Sequence, residues 1–150
     1  MNQGTREKVT GSIFLRKDTL DVIPQLRLMS RGVKEARIGD RIFRRHRNRN
    51  GTLGGFVEST AKVTEFVTMS PTSLVLENAS VREAARLDDS SVVAGNANVT
   101  ECARLQYGVF IGGTAAVGSD IYNNTTVLED GVSSVLFEKN SFGIRNPDER

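Results

Sequence analysis

A basic run that contains five arginines is the part of this chain with the clearest capacity for chemistry. The five are Arg41, Arg44, Arg45, Arg47 and Arg49. A guanidinium presents a planar fork of donors that matches the oxygens of a phosphate or a carboxylate. Phe43 and His46 lie between these arginines and could stack on the bases of a single-stranded nucleic acid. The run therefore predicts a surface that binds nucleic acid or another acidic partner.

The distribution of charge leaves a second interpretation of these arginines open. Residues 1–50 hold 13 Lys and Arg and 5 Asp and Glu, a net charge of +8, whereas residues 51–150 hold 7 and 13, a net charge of −6. The small total of +2 therefore conceals a basic N-terminal segment joined to an acidic remainder. The arginines are thus also expected to pair with acidic residues of the same chain or of a neighbouring subunit.

The region that follows the basic run has an aliphatic residue at every sixth position. The series is Val57, Val63, Met69, Val75, Val81, Leu87, Val93, Val99, Leu105, Ile111 and Val117. A short or small residue stands two positions before each member, so both side chains of a pair point to the same side of one strand. A period of six fits neither a helix nor a long strand, and it predicts short strands separated by corners. One such unit cannot bury its apolar side alone, so stacked coils must form the core.

Several segments of this region resemble the repeat unit of the hexapeptide-repeat, left-handed parallel β-helix family. They include residues 77–81 (ENASV) and 95–99 (GNANV), and the resemblance covers residues 53–117. It implies an all-β fold, a parallel, left-handed and triangular solenoid in which equivalent positions stack about 18 residues apart. Residues 53–59 (LGGFVES) are also similar to the start of solenoids that phages and prophages encode.

One corner of the predicted solenoid carries a column of small polar residues. The column reads Thr60, Asn78, Asn96 and Thr114. Asparagine tolerates left-handed backbone angles and can bond to its neighbours along a stack. We therefore expect a structural role for this column and left-handed conformations at its asparagines.

The resemblance also raises the question of catalysis, because many members of the family are acyltransferases. Their active site lies between subunits and usually depends on a histidine as general base. The single histidine here, His46, lies outside the repeats, and like charge from its arginine neighbours is expected to lower its pKa. One histidine and one cysteine cannot supply a three-histidine zinc site. We expect no enzyme, no cofactor and no metal, and an acyltransferase relative with His46 as base is kept as an alternative.

The sixfold register divides the chain into three parts. Residues 1–50 are predicted to form a mixed basic N-terminal segment or cap, residues 51–135 the solenoid, and residues 136–150 a C-terminal cap and tail. In the first part, residues 8–15 (KVTGSIFL) fit a strand, Pro24 could open a short helix as its first residue, and Gly32 could end it. Residues 36–43 fit either a helix or a strand. The segment is expected to fold against the first coil, because an open solenoid end exposes apolar surface.

One face of the predicted solenoid is apolar on its outer side as well. Its outward residues are Phe56, Leu74, Leu76, Val92 and Phe110. So large an apolar stripe is seldom left exposed by a monomer, so it must be covered. The cover is either a terminal segment of the same chain or the same face of sister subunits. Trimers are common in the resembled family, and on that ground we expect a homo-oligomer, with a trimer favoured, that uses these five residues as its interface.

The sequence as a whole predicts a non-enzymatic β-solenoid that acts as a structural or protein-interaction module related to phages. A nucleic-acid-binding protein that uses the five arginines is the first alternative. The protein partner is not indicated. No run reaches the roughly 20 apolar residues of a membrane span, and no signal-peptide-like stretch is present. We therefore expect no membrane partner, and a location in the cytoplasm of a bacterial host or in a virion.

Overall fold

The structure, a computed structural model, describes residues 18–121 and 125–128. Helix α1 (Thr19–Arg27) is followed by strands β1 (Glu35–Ile38), β2 (Arg41–Arg47) and β3 (Leu53–Glu58). Eleven strands of two residues follow: β4 (Lys62–Val63), β5 (Thr68–Met69), β6 (Leu74–Val75), β7 (Ser80–Val81), β8 (Arg86–Leu87), β9 (Val92–Val93), β10 (Asn98–Val99), β11 (Arg104–Leu105), β12 (Phe110–Ile111), β13 (Ala116–Val117) and β14 (Thr126–Val127). The predicted strand at residues 8–15 and the predicted C-terminal cap lie outside the described residues.

The short strands stack as the parallel sheets of a β-solenoid, which confirms the predicted fold class. One sheet has the order β1-β2-β3-β6-β9-β12-β14, a second the order β13-β10-β7-β4, and a third the order β11-β8-β5. Paired positions such as Val57 and Val75, or Val63 and Val81, are 18 residues apart, as three hexads per coil require. The left-handed sense and the triangular outline stay predictions.

The last described coil is shorter than the others. Val127 pairs with Ile111, and Ile121 forms a bridge with Leu105, so both intervals are 16 residues instead of 18. The sixfold register fails after Val117 because two residues are missing from the coil, yet the aliphatic side chains return to the same stacks. The solenoid therefore continues through at least Val127.

The inward aliphatic residues and the small residues that precede them form one continuous core. From Met69 to Leu105 the members of the sixfold series, such as Val75 and Leu87, are at most 1% exposed, as are small partners such as Ala79 and Ala97. At the start of the first coil, the backbone of β3 lies very close to the residues that precede β6. A Cβ on Gly55 would lie 1.6 Å from the carbonyl oxygen of Ser73. The small residue of each pair thus permits coils to close around the larger one.

The corners use left-handed backbone at residues other than those we expected. Residues Glu77, Gly95 and Gly113 have positive φ at one corner, and Asn78 and Asn96, which follow them, do not. The expectation of left-handed asparagines is therefore wrong by one residue. A non-glycine residue at such a φ costs free energy, but Glu77 is held there by side-chain bonds: its carboxylate accepts the N–H of Gly95 at 3.0 Å.

Helix α1 begins earlier than the position of Pro24 suggests. It runs Thr19–Arg27 with Pro24 inside it and ends well before Gly32. The apolar spacing of Val22, Ile23 and Leu26 overrides the proline signal, because these side chains are buried against the solenoid. The ambiguous residues 36–43 form the antiparallel hairpin of β1 and β2, which turns at Gly39 with φ of +62°.

Strand β2 joins this N-terminal segment to the solenoid. It pairs antiparallel with β3, so β1 and β2 extend the first sheet beyond the first coil. For residues 18–50, the described part of the segment, the expectation that it folds against the first coil is confirmed. Among the described residues no helix is long and apolar enough to cross a membrane.

Candidate binding site at the N-terminal end of the solenoid

The apolar stripe lies beneath the N-terminal segment of the same chain. Its five residues are buried, from 0% exposure at Phe56, Leu74 and Leu76 to 5% at Phe110. They pack in one cluster with Val22, Ile23 and Leu26 of α1 and with Ala36 and Phe43 of the hairpin. Of the two covers that the sequence left open, the structure shows the intrachain one, and the stripe offers no exposed surface on which a subunit interface would form.

Arg41 is buried in an ion-pair network under α1. It is 2% exposed, and its Nε and Nη2 donate to the two carboxylate oxygens of Glu58 at 2.9 and 2.7 Å. Its Nη1 donates to Asp18 at 3.0 Å, and Glu77 lies 4.0 Å away. Burial lowers the pKa of Arg41, but the hydrogen bond and charge of Glu58, with the charges of Asp18 and Glu77, outweigh burial and raise the pKa. This arginine fastens α1 and β2 to the first two coils and is not available to a partner.

Arg45 also has a structural role. Its guanidinium carbon lies 4.2 Å from the centroid of the Phe56 ring, a cation–π contact. The same side chain donates to the carbonyl oxygens of Val33, Ser30 and Gly54 at 2.7, 2.9 and 3.1 Å. Burial, and then the charge of Arg31, lower the pKa of Arg45. It ties the loop after α1 to β3.

Arg44, Arg47 and Arg49 remain at the surface. The side chain of Arg44 is 74% exposed and bonds to Glu35 at 3.0 Å, and Arg47 donates to the carbonyl of Gly51 at 3.2 Å. The guanidinium carbon of Arg49 lies 4.4 Å from the centroid of the Phe66 ring, and Phe66 is itself 53% exposed. Arg41 and Arg45 thus serve the chain's own structure, whereas Arg44, Arg47 and Arg49 are exposed, and binding of a partner by these three stays a prediction.

His46 and Asn48 cover the outer edge of β5. The Nδ2 of Asn48 donates to the carbonyl of Met69 at 3.0 Å, and its Oδ1 accepts the Met69 N–H at 2.9 Å. His46 Nε2 lies 2.6 Å from the carbonyl oxygen of Val67 and must therefore carry a proton. The two side chains take the place of a strand at this edge.

The pKa of His46 is lowered, in the expected direction but for a different reason. Burial is the main cause, and the hydrogen bond to Val67 opposes it in part. Charge from neighbouring arginines, which the sequence suggested, is not among the causes. The lowered pKa keeps the ring neutral near pH 7.

A cavity of about 380 Å³ opens between β2 and the first coil. Its floor is apolar, formed by the half-buried side chains of Val57, Ala61 and Val63. Arg44 and Arg47 form the cationic side of the cavity. The other residues that line it are Arg45, His46, Glu58 and Ser59. This volume lies within the range of about 300–1,000 Å³ that is usual for binding pockets. The sequence analysis predicted the arginines of this site but not its apolar floor or the role of Asn48. The signal that points to both is the absence of a hexad before the first coil, because it leaves a strand edge to be covered.

No three His, Cys, Asp or Glu residues within residues 18–121 and 125–128 come together in a way that could hold a metal ion. Cys102 is exposed and forms no disulfide. Comparisons of the chain with protein-family models, with curated proteins and with solved structures found no match.

Proposed function

We propose that this protein is a non-enzymatic protein-interaction module whose solenoid is a rigid scaffold and whose N-terminal end binds an acidic partner protein. The observation that carries the proposal is the cavity at that end, where the exposed guanidinium of Arg44 and the exposed Arg47 flank an apolar floor. Glu35 offsets part of the charge of Arg44, but Arg47 has no carboxylate within ion-pair distance among the described residues. Cationic groups around an apolar floor suit a surface with both acidic and apolar side chains.

The state of His46 supports a role in structure more than one in catalysis. Its Nε2–H is engaged by the Val67 carbonyl, which leaves Nδ1 as the basic atom of the neutral ring. A general base is normally oriented toward its substrate by a carboxylate or another partner, whereas His46 is oriented toward the solenoid edge. The acyltransferase alternative would require Nδ1 to take the proton within the cavity, and His46→Ala would abolish acyl-donor turnover.

Binding of nucleic acid is the second candidate function. The observation that favours it is the pair of Arg49 and Phe66, in which a half-exposed aromatic ring lies beside a cation. Such a ring is suited to stack on a base while neighbouring arginines contact phosphates. The three exposed arginines are the residues that would serve this function.

The biological setting is proposed from the sequence resemblance alone. A phage-related role rests on residues 53–59, and the location in a bacterial host cell or a virion follows from it. A homotrimer, if one forms, would need a surface other than the apolar stripe, because α1 and the hairpin bury that stripe.

The test is the binding of two fluorescent probes of equal charge, a ten-residue glutamate peptide and an eleven-nucleotide thymidine strand, followed by anisotropy. The key variant is Arg44→Gln with Arg47→Gln, and the control Arg82→Gln with Arg86→Gln removes the same charge from exposed positions on the solenoid. We expect the key variant to weaken peptide binding about 5- to 30-fold, as two exposed charge pairs of up to about 1 kcal/mol each would give. The control should change it less than about threefold.

Two results would contradict the proposal. Equal loss in both variants would mean that the peptide senses only the total charge. Binding of the thymidine strand alone, with a salt slope that falls by about one unit for each arginine removed, would establish the nucleic-acid function instead.

A further inference from the structure

The first coil consists of β3, β4 and β5, and its three outer edges are treated differently. The edge of β3 is paired with β2, and the edge of β5 is covered by Asn48 and His46. Strand β4 pairs with β7 on one side, and within residues 18–121 and 125–128 no strand pairs with its other side. Among the described residues, the N-terminal end of the solenoid therefore has one strand edge without a pairing strand.

The backbone groups at this edge can be identified from the pairing of β4. Lys62 and Thr64 donate their N–H groups to the carbonyls of Ala79 and Val81 in the next coil, at 3.0 and 3.1 Å. Because successive residues of a strand turn their backbone groups to opposite edges, Val63 turns its N–H and C=O outward. Met69 holds the same place in β5, where both its groups are bonded to Asn48.

The cavity described above lies along this edge. Ser59, Ala61 and Val63 of the β4 side line it, and Arg44 and Arg47 face them from β2. Lys62 adds an exposed ammonium on the outer face of the strand. The backbone of an incoming strand would thus meet the outward backbone groups of Val63. Its side chains alternate between two faces, so one face would lie on the apolar floor and the other would meet the cations.

We propose that the outer edge of β4 receives an extended acidic segment of the partner protein as an added strand, an inference that rests on the proposed function. Strand addition gives affinity through main-chain hydrogen bonds and specificity through alternate side chains. The N–H of Val63 would donate to the partner's backbone. Acidic side chains of the segment would pair with Arg44 and Arg47, and apolar ones would fill the cavity over Val57 and Val63.

Charge argues for a separate acidic partner over the chain's own N-terminus. Residues 1–17 contain Arg6, Lys8, Arg16 and Lys17 against Glu7, a net charge of +3. A segment of that charge would be repelled by the cations around the edge. An acidic segment would be attracted by them.

The test measures amide hydrogen exchange by NMR in the full, ¹⁵N-labelled chain. The probe is an eight-residue peptide of alternating valine and glutamate, and the control is the same peptide with alternate amides N-methylated, so that it keeps its charge but cannot form a ladder. In the free protein we expect the Val63 amide to exchange at least about tenfold faster than the Met69 amide, because only the latter is bonded. The unmodified peptide should slow exchange at Val63 at least about tenfold and leave Met69 unchanged, and the methylated peptide should not.

Each other outcome overturns strand addition in a distinguishable way. Slow exchange at Val63 in the free protein at every concentration would show that the chain itself covers the edge, and protection that grows with protein concentration would identify a second copy. Equal binding of both peptides without protection of Val63, and with loss in the variant Arg44→Gln with Arg47→Gln, would refute the added strand while the proposed function stands. If the glutamate peptide binds and the alternating valine–glutamate peptide does not, strand addition is likewise refuted while the proposed function stands.

Discussion

At the scale of single residues, five arginines in one short run have two kinds of role. Because side chains alternate along a strand, residues 41, 43 and 45 of β2 share the face that is turned toward α1. Arg41 and Arg45 therefore lie in the contact between the helix and the solenoid. Arg44 and Arg47 remain exposed. The sequence predicted the surface charge but could not separate the two sets, because residues 36–43 fitted a helix as well as a strand and the period of the run was therefore unknown.

The roles of these arginines predict unequal effects of the same substitution. Arg41→Ala should lower the free energy of unfolding by about 3–5 kcal/mol, because it removes the guanidinium that neutralises the buried carboxylate of Glu58. Arg44→Ala, which removes the exposed pair with Glu35, should cost about 0–1 kcal/mol. Urea denaturation of the two variants and the wild type provides the comparison, and equal losses would contradict the assignment.

At the scale of elements, the sequence predicted the repeats well and the N-terminal segment only in part. The spacing from Val57 to Val117 determines strands, core and register together, because each hexad repeats the same physical requirement. The start of α1 was missed because Pro24 is a strong local signal, whereas the burial of Val22 and Leu26 depends on coils far along the chain. The role of Asn48 was missed for the same reason: its partner is the backbone of Met69, which no side-chain pattern reveals.

Two leucines near the end of α1 allow a controlled test of its position over the stripe, because one is buried and the other is exposed. Leu26 is 1% exposed within the stripe cluster, and Leu28, just beyond the helix, is 86% exposed. Leu26→Asp should detach the helix, because it places an unpaired charge in an apolar contact, and should lower the free energy of unfolding by about 2–5 kcal/mol. Leu28→Asp should change it by less than about 0.5 kcal/mol. Binding of an apolar fluorescent dye should rise only in the first variant, and a rise in both would contradict the intrachain cover.

At the scale of the whole molecule, the chain provides its own lateral cover. The helix and the hairpin bury the stripe from Phe56 to Phe110, and Arg27 reaches the carbonyls of Thr72 and Ser90 in successive coils. The described part of the N-terminal segment, residues 18–50, and the solenoid therefore form one packed unit. Within residues 18–121 and 125–128, the surfaces left exposed include the solenoid's outer faces and its N-terminal end.

This arrangement predicts how stability depends on protein concentration. Phe110→Arg should lower the melting temperature by the same amount at two concentrations tenfold apart, because Phe110 packs within one chain. Ala116→Arg, which places the same charge on an exposed position of another sheet, should have little effect. A wild-type melting temperature that rises with concentration, and a variant that loses this rise, would instead place the stripe between subunits.

The cover over the stripe also sets the order in which a growing chain can fold. Val22 and Leu26 are synthesised before the solenoid, yet the cluster to which they belong extends to Phe110 and Leu128. At about 5–20 residues per second, roughly 4 to 17 seconds of synthesis separate Leu26 from Phe110. During that interval the apolar side of α1 gains its partners one coil at a time, from Phe43 and Phe56 onward, and its cover is complete only when the last coils appear. The period for which part of this apolar side stays exposed during synthesis is therefore set by the time its last coils take to appear.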